Sequence, residues 1–170
     1  MHSRIYLIGF MGSGKTTYGK QIARMLDYDF LDMDQWIIEQ EGKTIPEIFA
    51  EDGEARFREL ETAAIREMDQ HQKVVIATGG GLPCHTDNMQ KLKSSGLTIY
   101  LQLPPKALLS RLKVSKTKRP LLEGKSEEEM YATIQEMLRE REPYYSQADM
   151  IIDGLERVNE RVVNAIQRRK

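Results

Sequence analysis

The chain has little of several features that would indicate particular classes of protein. Cys84 is the one cysteine among its 170 residues, so no disulfide can form within the chain, which fits a reducing compartment. No stretch approaches the ~20 consecutive apolar residues of a membrane helix, and residues 1–10 lack the long apolar region and cleavage site of a secretory signal. We therefore expect a cytoplasmic protein without a membrane partner.

An excess of charge of one sign is also absent. The formal net charge is -1 although 30% of the residues are charged, so the composition gives no general attraction to nucleic acid. The length and a hydrophobic content of 40% suit a single domain over residues 1–170, and we expect a monomer. Because no histidine and carboxylate are placed to activate Cys84, we interpret it as a bystander thiol rather than a nucleophile.

Apolar runs alternate with helical patterns along the chain. The runs typical of buried strands are 4–9, 27–34, 73–81, 97–103 and 148–153. Helical patterns cover 16–26, 46–70 with an interruption near Gly53, the segment after Pro105, 126–141 and the tail. Ser126 and Glu129 are spaced as a capping box. This alternation predicts an α/β fold with three α/β/α layers around a five-stranded parallel sheet, whose ligands gather at the carboxyl ends of the strands.

A phosphate-binding motif follows the first strand. Residues 9–16 fit the spacing G-x-x-x-x-G-K-[ST], in which backbone N–H groups curl around phosphate oxygens. Lys15 can reach the β- and γ-phosphates, and the Thr16 hydroxyl can ligate Mg²⁺. A tight strand-to-helix turn would also use glycine, but it needs neither this lysine nor this threonine. The predicted ATP-binding residues here are Gly12, Ser13, Gly14, Lys15, Thr16 and Thr17.

Two aspartates end the second predicted strand. Asp32 and Asp34 straddle one residue, so on an extended chain both carboxylates would point the same way. One could hold a metal near Thr16, and the other could orient or deprotonate an acceptor hydroxyl. The alternative is that Asp34 caps a helix beginning near Gln35, and the sequence leaves both interpretations open.

Three consecutive glycines follow the third predicted strand. Gly79, Gly80 and Gly81 carry no side chains, so a small ligand can approach their backbone N–H groups closely. A mobile loop is the alternative. No acid follows this strand, so a metal would be held by an acid elsewhere, such as Asp32, or through water.

Three arginines have informative surroundings. Arg58 and Glu61 lie three apart on one helical face, where the acid can hold the guanidinium in place. Arg119 lies in the one long basic loop, and Arg141 is predicted to end a helix.

Six motifs, in this order, make the sequence resemble the shikimate kinase family of P-loop kinases in aromatic amino-acid biosynthesis. They are GFMGSGKTT at 9–17, LDMD at 31–34, FRELE at 57–61, TGGG at 78–81, RPLL at 119–122 and REPYY at 141–145. The first is shared by many NTPases, whereas the combination of the others is much more specific. The resemblance implies a nucleoside-monophosphate-kinase-like fold with a lid loop at about 113–125 and a substrate-binding helical segment at about 34–62.

The resemblance also implies an activity and a set of roles. The reaction would be Mg²⁺-dependent transfer of the ATP γ-phosphoryl group to the 3-hydroxyl of shikimate. The implied catalytic residues are Lys15, Asp34 and the lid arginine Arg119. The implied substrate-binding residues are Asp34, Arg58, Gly79, Gly80, Gly81 and Arg141. Thr16 and Asp32 would lie at the metal, and Arg111 is the nearest candidate for an arginine that contacts adenine, with Arg119 as a further ATP contact.

Two other classes of function share the phosphate motif. A gluconate or nucleoside-monophosphate kinase would differ in its acceptor pocket, and the arginine pair alone does not exclude gluconate. A non-enzymatic nucleotide switch would need neither an acceptor pocket nor a lid arginine. The complete set of motifs favours the shikimate kinase interpretation over both.

Overall fold

A five-stranded parallel sheet forms the centre of the molecule, as the sequence predicts. The computed structural model of the chain describes residues 3–115 and 122–168. The strands are β1 (Arg4–Ile8), β2 (Asp29–Asp32), β3 (Val74–Ala77), β4 (Leu97–Gln102) and β5 (Met150–Asp153). They lie in the order β2-β3-β1-β4-β5, and every neighbouring pair is parallel. The loops after β2, β3 and β1 therefore lie side by side at one edge of the sheet.

Helices cover both faces of this sheet. They are α1 (Lys15–Leu26), α2 (Met33–Glu41), α3 (Ile45–Glu51), α4 (Gly53–Met68), α5 (Asn88–Ser95), α6 (Pro105–Val114), α7 (Glu127–Tyr145) and α8 (Val158–Arg168). The expected interruption near Gly53 is confirmed, since this glycine begins α4 with a positive φ of 83°. The capping box of Ser126 and Glu129 is confirmed at the start of α7.

Alternate residues of each central strand pack into different cores. On β1, Tyr6 and Ile8 belong to the core that includes residues of α2 to α7, whereas Ile5 and Leu7 belong to the core under α1 and α8. This is the two-faced burial expected of a parallel sheet between helical layers. The predicted three-layer α/β/α class is confirmed.

The second strand is shorter than the sequence pattern suggested. It ends at Asp32, and α2 starts at Met33 because the Asp32 carboxylate accepts hydrogen bonds from the backbone N–H groups of Asp34 and Gln35. The helix cap is therefore Asp32 rather than Asp34. Since Asp34 lies in a first helical turn, the prediction that both carboxylates project alike from an extended chain is wrong.

Two other boundaries also differ from the prediction. Arg141 does not end a helix, because α7 continues through Pro143 to Tyr145. At the lid, α6 extends to Val114, and residues 116–121, which include Arg119, lie outside the described part of the chain. The sequence pattern also missed α5 and a short 3-10 helix at Leu82–Cys84.

Within residues 3–115 and 122–168, no helix is both long and apolar enough to cross a membrane.

Candidate active site

The loop after β1 has the backbone conformation that its glycines predict. Gly12 and Gly14 have φ values of 78° and 94°, in the left-handed region that favours glycine. Gly14 then serves as the N-cap of α1 without a side-chain hydrogen bond, so the first N–H groups of that helix point into the loop. The result is an anion-binding concavity at a helix N-terminus.

Lys15 lies inside this phosphate loop. Its ammonium group donates hydrogen bonds to the carbonyl oxygens of Gly9 and Phe10, at 2.8 and 2.9 Å, and only 9% of the residue is exposed. The neighbouring Ser13 hydroxyl is buried and has no hydrogen-bond partner among the described residues. A buried cation and a spare hydroxyl in the same loop are well suited to bind phosphate oxygens.

The two predicted metal-binding groups are in direct contact. The Thr16 hydroxyl donates a hydrogen bond of 2.8 Å to Oδ2 of Asp32, whose other oxygen caps α2. In the described ranges no cluster of three or more His, Cys, Asp or Glu residues could hold a metal. One hydroxyl and one carboxylate fit Mg²⁺, which is usually held by few protein oxygens together with substrate phosphates and water.

Arg111 connects the phosphate loop to the loop after β5. Its guanidinium donates to the carbonyl oxygens of Ser13 and Gly154, both at 3.1 Å. Arg111 therefore lies at the edge of the phosphate loop, and its role as an adenine contact stays a prediction.

The triple-glycine loop lies between the phosphate loop and Asp34. A Cβ atom placed on Gly79 would be 2.8 Å from Oδ1 of Asp34, and one placed on Gly80 would be 3.5 Å from the backbone nitrogen of Met11. A side chain on Gly79 would therefore displace the Asp34 carboxylate from its present position. The Asp34 carboxylate therefore faces the glycine loop, whereas Asp32 faces Thr16.

Both predicted arginines converge on the same loop. A Cβ atom on Gly81 would lie 3.3 Å from Nη1 of Arg58 and 3.6 Å from Nη2 of Arg141. Arg141 forms no salt bridge within the described part of the chain, and Nε of Arg58 is buried without a hydrogen-bond partner there. Two guanidinium groups that converge over bare backbone favour an anion between them.

Glu61 holds Arg58 in place. Its Oε2 accepts a 2.7 Å hydrogen bond from Nη1 of Arg58, and the Glu61 side chain is only 1% exposed. Burial raises the pKa of Glu61 to about 7, an effect that the Arg58 guanidinium partly offsets and Asp34 reinforces. Glu54 accepts from the other end of the same guanidinium, at 3.2 Å.

The raised pKa of Glu61 predicts a specific pH dependence of stability. The folded chain binds the proton of the Glu61 carboxyl group more tightly than the unfolded chain does. The resulting contribution to the free energy of unfolding is complete below about pH 4.5 and is lost as the pH rises through about 7. We expect Tm of Glu61→Gln to depend less on pH than Tm of the unaltered chain, measured from about pH 5 to about pH 8.

The matched control for this prediction is Glu59→Gln. Glu59 lies on the same helix, but its side chain is 70% exposed and pairs with Arg56. The Tm of Glu59→Gln should change with pH in the same way as the Tm of the unaltered chain. A Glu61→Gln profile parallel to both would show that Glu61 does not titrate as described.

Burial and the neighbouring arginines also shift the pKa values of Cys84 and His85. Burial raises the pKa of the Cys84 thiol to about 11 although Arg141 opposes the effect, so the thiol is not a ready nucleophile. Burial and then the Arg58 charge lower the pKa of His85. The raised pKa of Cys84 agrees with its interpretation as a bystander thiol, and the effect of Arg58 on His85 agrees with positive charge beside the glycine loop.

Two aromatic residues that the motifs did not single out also contact this pocket. The Arg141 guanidinium lies over the Phe10 ring, 5.4 Å from its centroid, and the Tyr145 hydroxyl donates to the Gly80 carbonyl. Phe10 belongs to the phosphate motif and Tyr145 to REPYY, so both motifs contained the residues, but spacing alone did not indicate their contacts.

Comparisons with known proteins agree with the motifs. A family model described as shikimate kinase matches residues 11–169. A shikimate kinase of Bacteroides fragilis is 48% identical over 148 residues, which cover 87% of this chain and 83% of that protein. Another, from Phocaeicola vulgatus, is 44% identical over 163 residues, which cover 96% and 93% of the two chains.

Solved structures lead to the same family. A shikimate kinase crystal structure from Bacteroides thetaiotaomicron superposes with a TM-score of 0.91 at 42% identity, covering 99% of this chain and 98% of the other. The shikimate kinase of Acinetobacter baumannii in complex with shikimate gives a TM-score of 0.89 at 34% identity, covering 99% and 94%. Sequence, fold and site geometry therefore agree, and the chain belongs to the shikimate kinase family.

Proposed function

We propose that this chain transfers the γ-phosphoryl group of ATP to the 3-hydroxyl of shikimate, with Mg²⁺, in aromatic amino-acid biosynthesis. The observation that carries the proposal is the convergence of Asp34, Arg58 and Arg141 on the glycine loop, directly beside the phosphate loop. Membership of the family and the likeness to a relative solved with shikimate support this choice of acceptor.

The acceptor pocket suits a small carboxylate with several hydroxyls. Arg58 and Arg141 bind the carboxylate with charge-assisted hydrogen bonds, and the buried Nε of Arg58 offers a donor that the described residues do not use. Asp34 accepts hydrogen bonds from hydroxyl groups and thereby orients them. The bare backbone of Gly79 to Gly81 lets the ring approach closely.

Phosphoryl transfer then depends mainly on positioning and charge. Lys15 and the N–H groups of the phosphate loop hold the nucleotide phosphates beside the acceptor hydroxyl. Thr16 and Asp32 would hold Mg²⁺, which supplies further neutralisation of phosphate charge when bound. In a loose transition state, the alignment of the hydroxyl by Asp34 contributes more than removal of its proton.

Two roles remain predictions from the sequence. Arg119 would act as the lid arginine that contacts the transferring group, and it lies outside the described residues. Arg111 would contribute to nucleotide binding from its place beside the phosphate loop. Lid closure would exclude water, which competes as an acceptor.

Product analysis tests this proposal. The chain is incubated with ATP, Mg²⁺ and shikimate. Two-dimensional proton–phosphorus NMR then shows which ring proton is coupled to the phosphorus atom of the product. We expect one phosphomonoester, coupled to the proton on carbon 3. Phosphate on another hydroxyl would contradict the regiochemistry, and release of inorganic phosphate alone would contradict the acceptor assignment.

A further inference from the structure

A buried tyrosine hydroxyl contacts the middle of the glycine loop. Tyr145, the last residue of α7, is fully buried, and its hydroxyl donates a 2.6 Å hydrogen bond to the carbonyl oxygen of Gly80. The two residues are 65 positions apart. The contact therefore joins two segments that the chain does not connect locally.

The Gly80 carbonyl differs from the two carbonyls beside it. Those of Gly79 and Gly81 accept hydrogen bonds from backbone N–H groups of the 3-10 helix that follows, at 3.2 and 3.0 Å. The Gly80 carbonyl instead accepts from a side chain. Because glycine has more conformational freedom than any other residue, a hydrogen bond to this carbonyl restricts a peptide that is otherwise easily reoriented.

The same glycine is contacted by the acceptor arginine one helical turn earlier. Arg141 lies four residues before Tyr145, so the two side chains share a face of α7. Nη1 of Arg141 would be 3.2 Å from a Cβ atom on Gly80. The Tyr145 hydroxyl and the Arg141 guanidinium therefore both lie against Gly80.

The last turn of α7 needs side-chain contacts for its own position. Pro143 lies inside the helix and has no N–H group, so one backbone hydrogen bond of this turn is missing. The Tyr145 ring packs against Tyr100 with centroids 5.0 Å apart, and the Tyr100 hydroxyl donates to Glu142 at 2.7 Å. The Tyr145 ring is therefore packed against Tyr100, while its hydroxyl group is bonded to the glycine loop.

We propose that Tyr145 is a positioning residue for the acceptor, whose hydroxyl sets the glycine loop against Arg141. This inference rests on the proposed function, because it concerns the same pocket. Tyr145 acts through Gly80 and Arg141, whereas the nucleotide phosphates are proposed to be held by Lys15 and the backbone of the phosphate loop. Its loss should therefore affect acceptor binding and leave nucleotide binding unchanged.

The test is Tyr145→Phe, which removes the hydroxyl and keeps the ring. We expect KM for shikimate to rise by about 3- to 10-fold, the loss that follows from one buried hydrogen bond, with KM for ATP unchanged. Tyr6→Phe is the matched control, since Tyr6 is also fully buried but its hydroxyl is bonded to Ser95, far from the pocket. It should change neither KM, whatever its effect on Tm.

A double-mutant cycle separates positioning from general support of the fold. If Tyr145 acts through Arg141, the effects of Tyr145→Phe and Arg141→Lys on shikimate binding, measured by calorimetry, will not be additive. Additive effects, or a Tyr145→Phe variant with both KM values unchanged, would overturn the inference. Absence of turnover in the unaltered chain would overturn the proposed function instead, so the two failures are distinguishable.

Discussion

Lys15→Ala is expected to lower kcat by on the order of 10²- to 10³-fold, the loss typical of removing one preorganised group that stabilises transition-state charge. The physical reason is its location: the ammonium group is buried in the phosphate loop and is held there by the carbonyl oxygens of Gly9 and Phe10. It is the cation of this loop that can follow the γ-phosphoryl group during transfer. Steady-state kinetics at saturating ATP and shikimate measure the effect.

Two controls accompany the Lys15 variant. Lys20 lies on the same helix, and its ammonium group is over the Phe30 ring, 5.8 Å from the ring centroid. Lys20→Ala should therefore leave kcat unchanged. Calorimetric binding of shikimate to Lys15→Ala should also be retained, because Arg58 and Arg141, rather than this lysine, are proposed to bind the shikimate carboxylate. Turnover close to that of the unaltered chain would remove Lys15 from the phosphate site.

Arg58→Ala should raise KM for shikimate by about 10- to 100-fold and leave KM for ATP nearly unchanged. One hydrogen bond between charged groups contributes about 1.5–3 kcal/mol, and each 1.4 kcal/mol corresponds to about tenfold in affinity. KM for shikimate should change more than KM for ATP because Nη1 of Arg58 lies against Gly81 rather than against the phosphate loop. Initial rates with each substrate varied in turn provide the measurement.

Arg56→Ala is the matched control for this variant. Arg56 lies on the same helix, but it pairs with Glu41 and Glu59 at the surface. Its removal should leave both KM values unchanged, since exposed ion pairs contribute little. Equal increases in KM for both substrates on changing Arg58 would place this arginine outside the acceptor pocket.

The fold could be predicted because its main determinants are local. Short apolar runs, each bounded by glycine, proline or acidic residues, indicate strands, and the helical segments between them require parallel pairing. The approximate location of the site followed as well, since carboxyl ends of adjacent parallel strands meet at one edge. The sheet order placed the loop of β3 between those of β2 and β1, as this reasoning requires.

The end of β2 could not be predicted by the same means. Asp32 lies in an extended pattern, but its carboxylate accepts two N–H groups of the next turn and starts α2 one residue later. Such local side-chain to backbone bonds compete with strand continuation. The Asp32 carboxylate also accepts from Thr16, 16 positions away, a contact that the sequence pattern does not reveal.

The contacts of Tyr145 and Glu61 show a second limit. A tyrosine near the end of an amphipathic helix is usually a core residue, and its partner Gly80 lies far away in sequence. The pairing of Arg58 with Glu61 was predictable because the two lie three apart on one helix. The almost complete burial of Glu61, and hence its raised pKa, depends on packing against other elements.

The most direct test of the account is a coupled ADP-release assay of the unaltered chain with four acceptors: shikimate, quinate, gluconate and a nucleoside monophosphate. We expect kcat/KM to be highest for shikimate, whose carboxylate, hydroxyls and ring together suit the arginine pair, Asp34 and the open glycine loop. An equal or higher kcat/KM with quinate, gluconate or the nucleoside monophosphate would contradict this expectation.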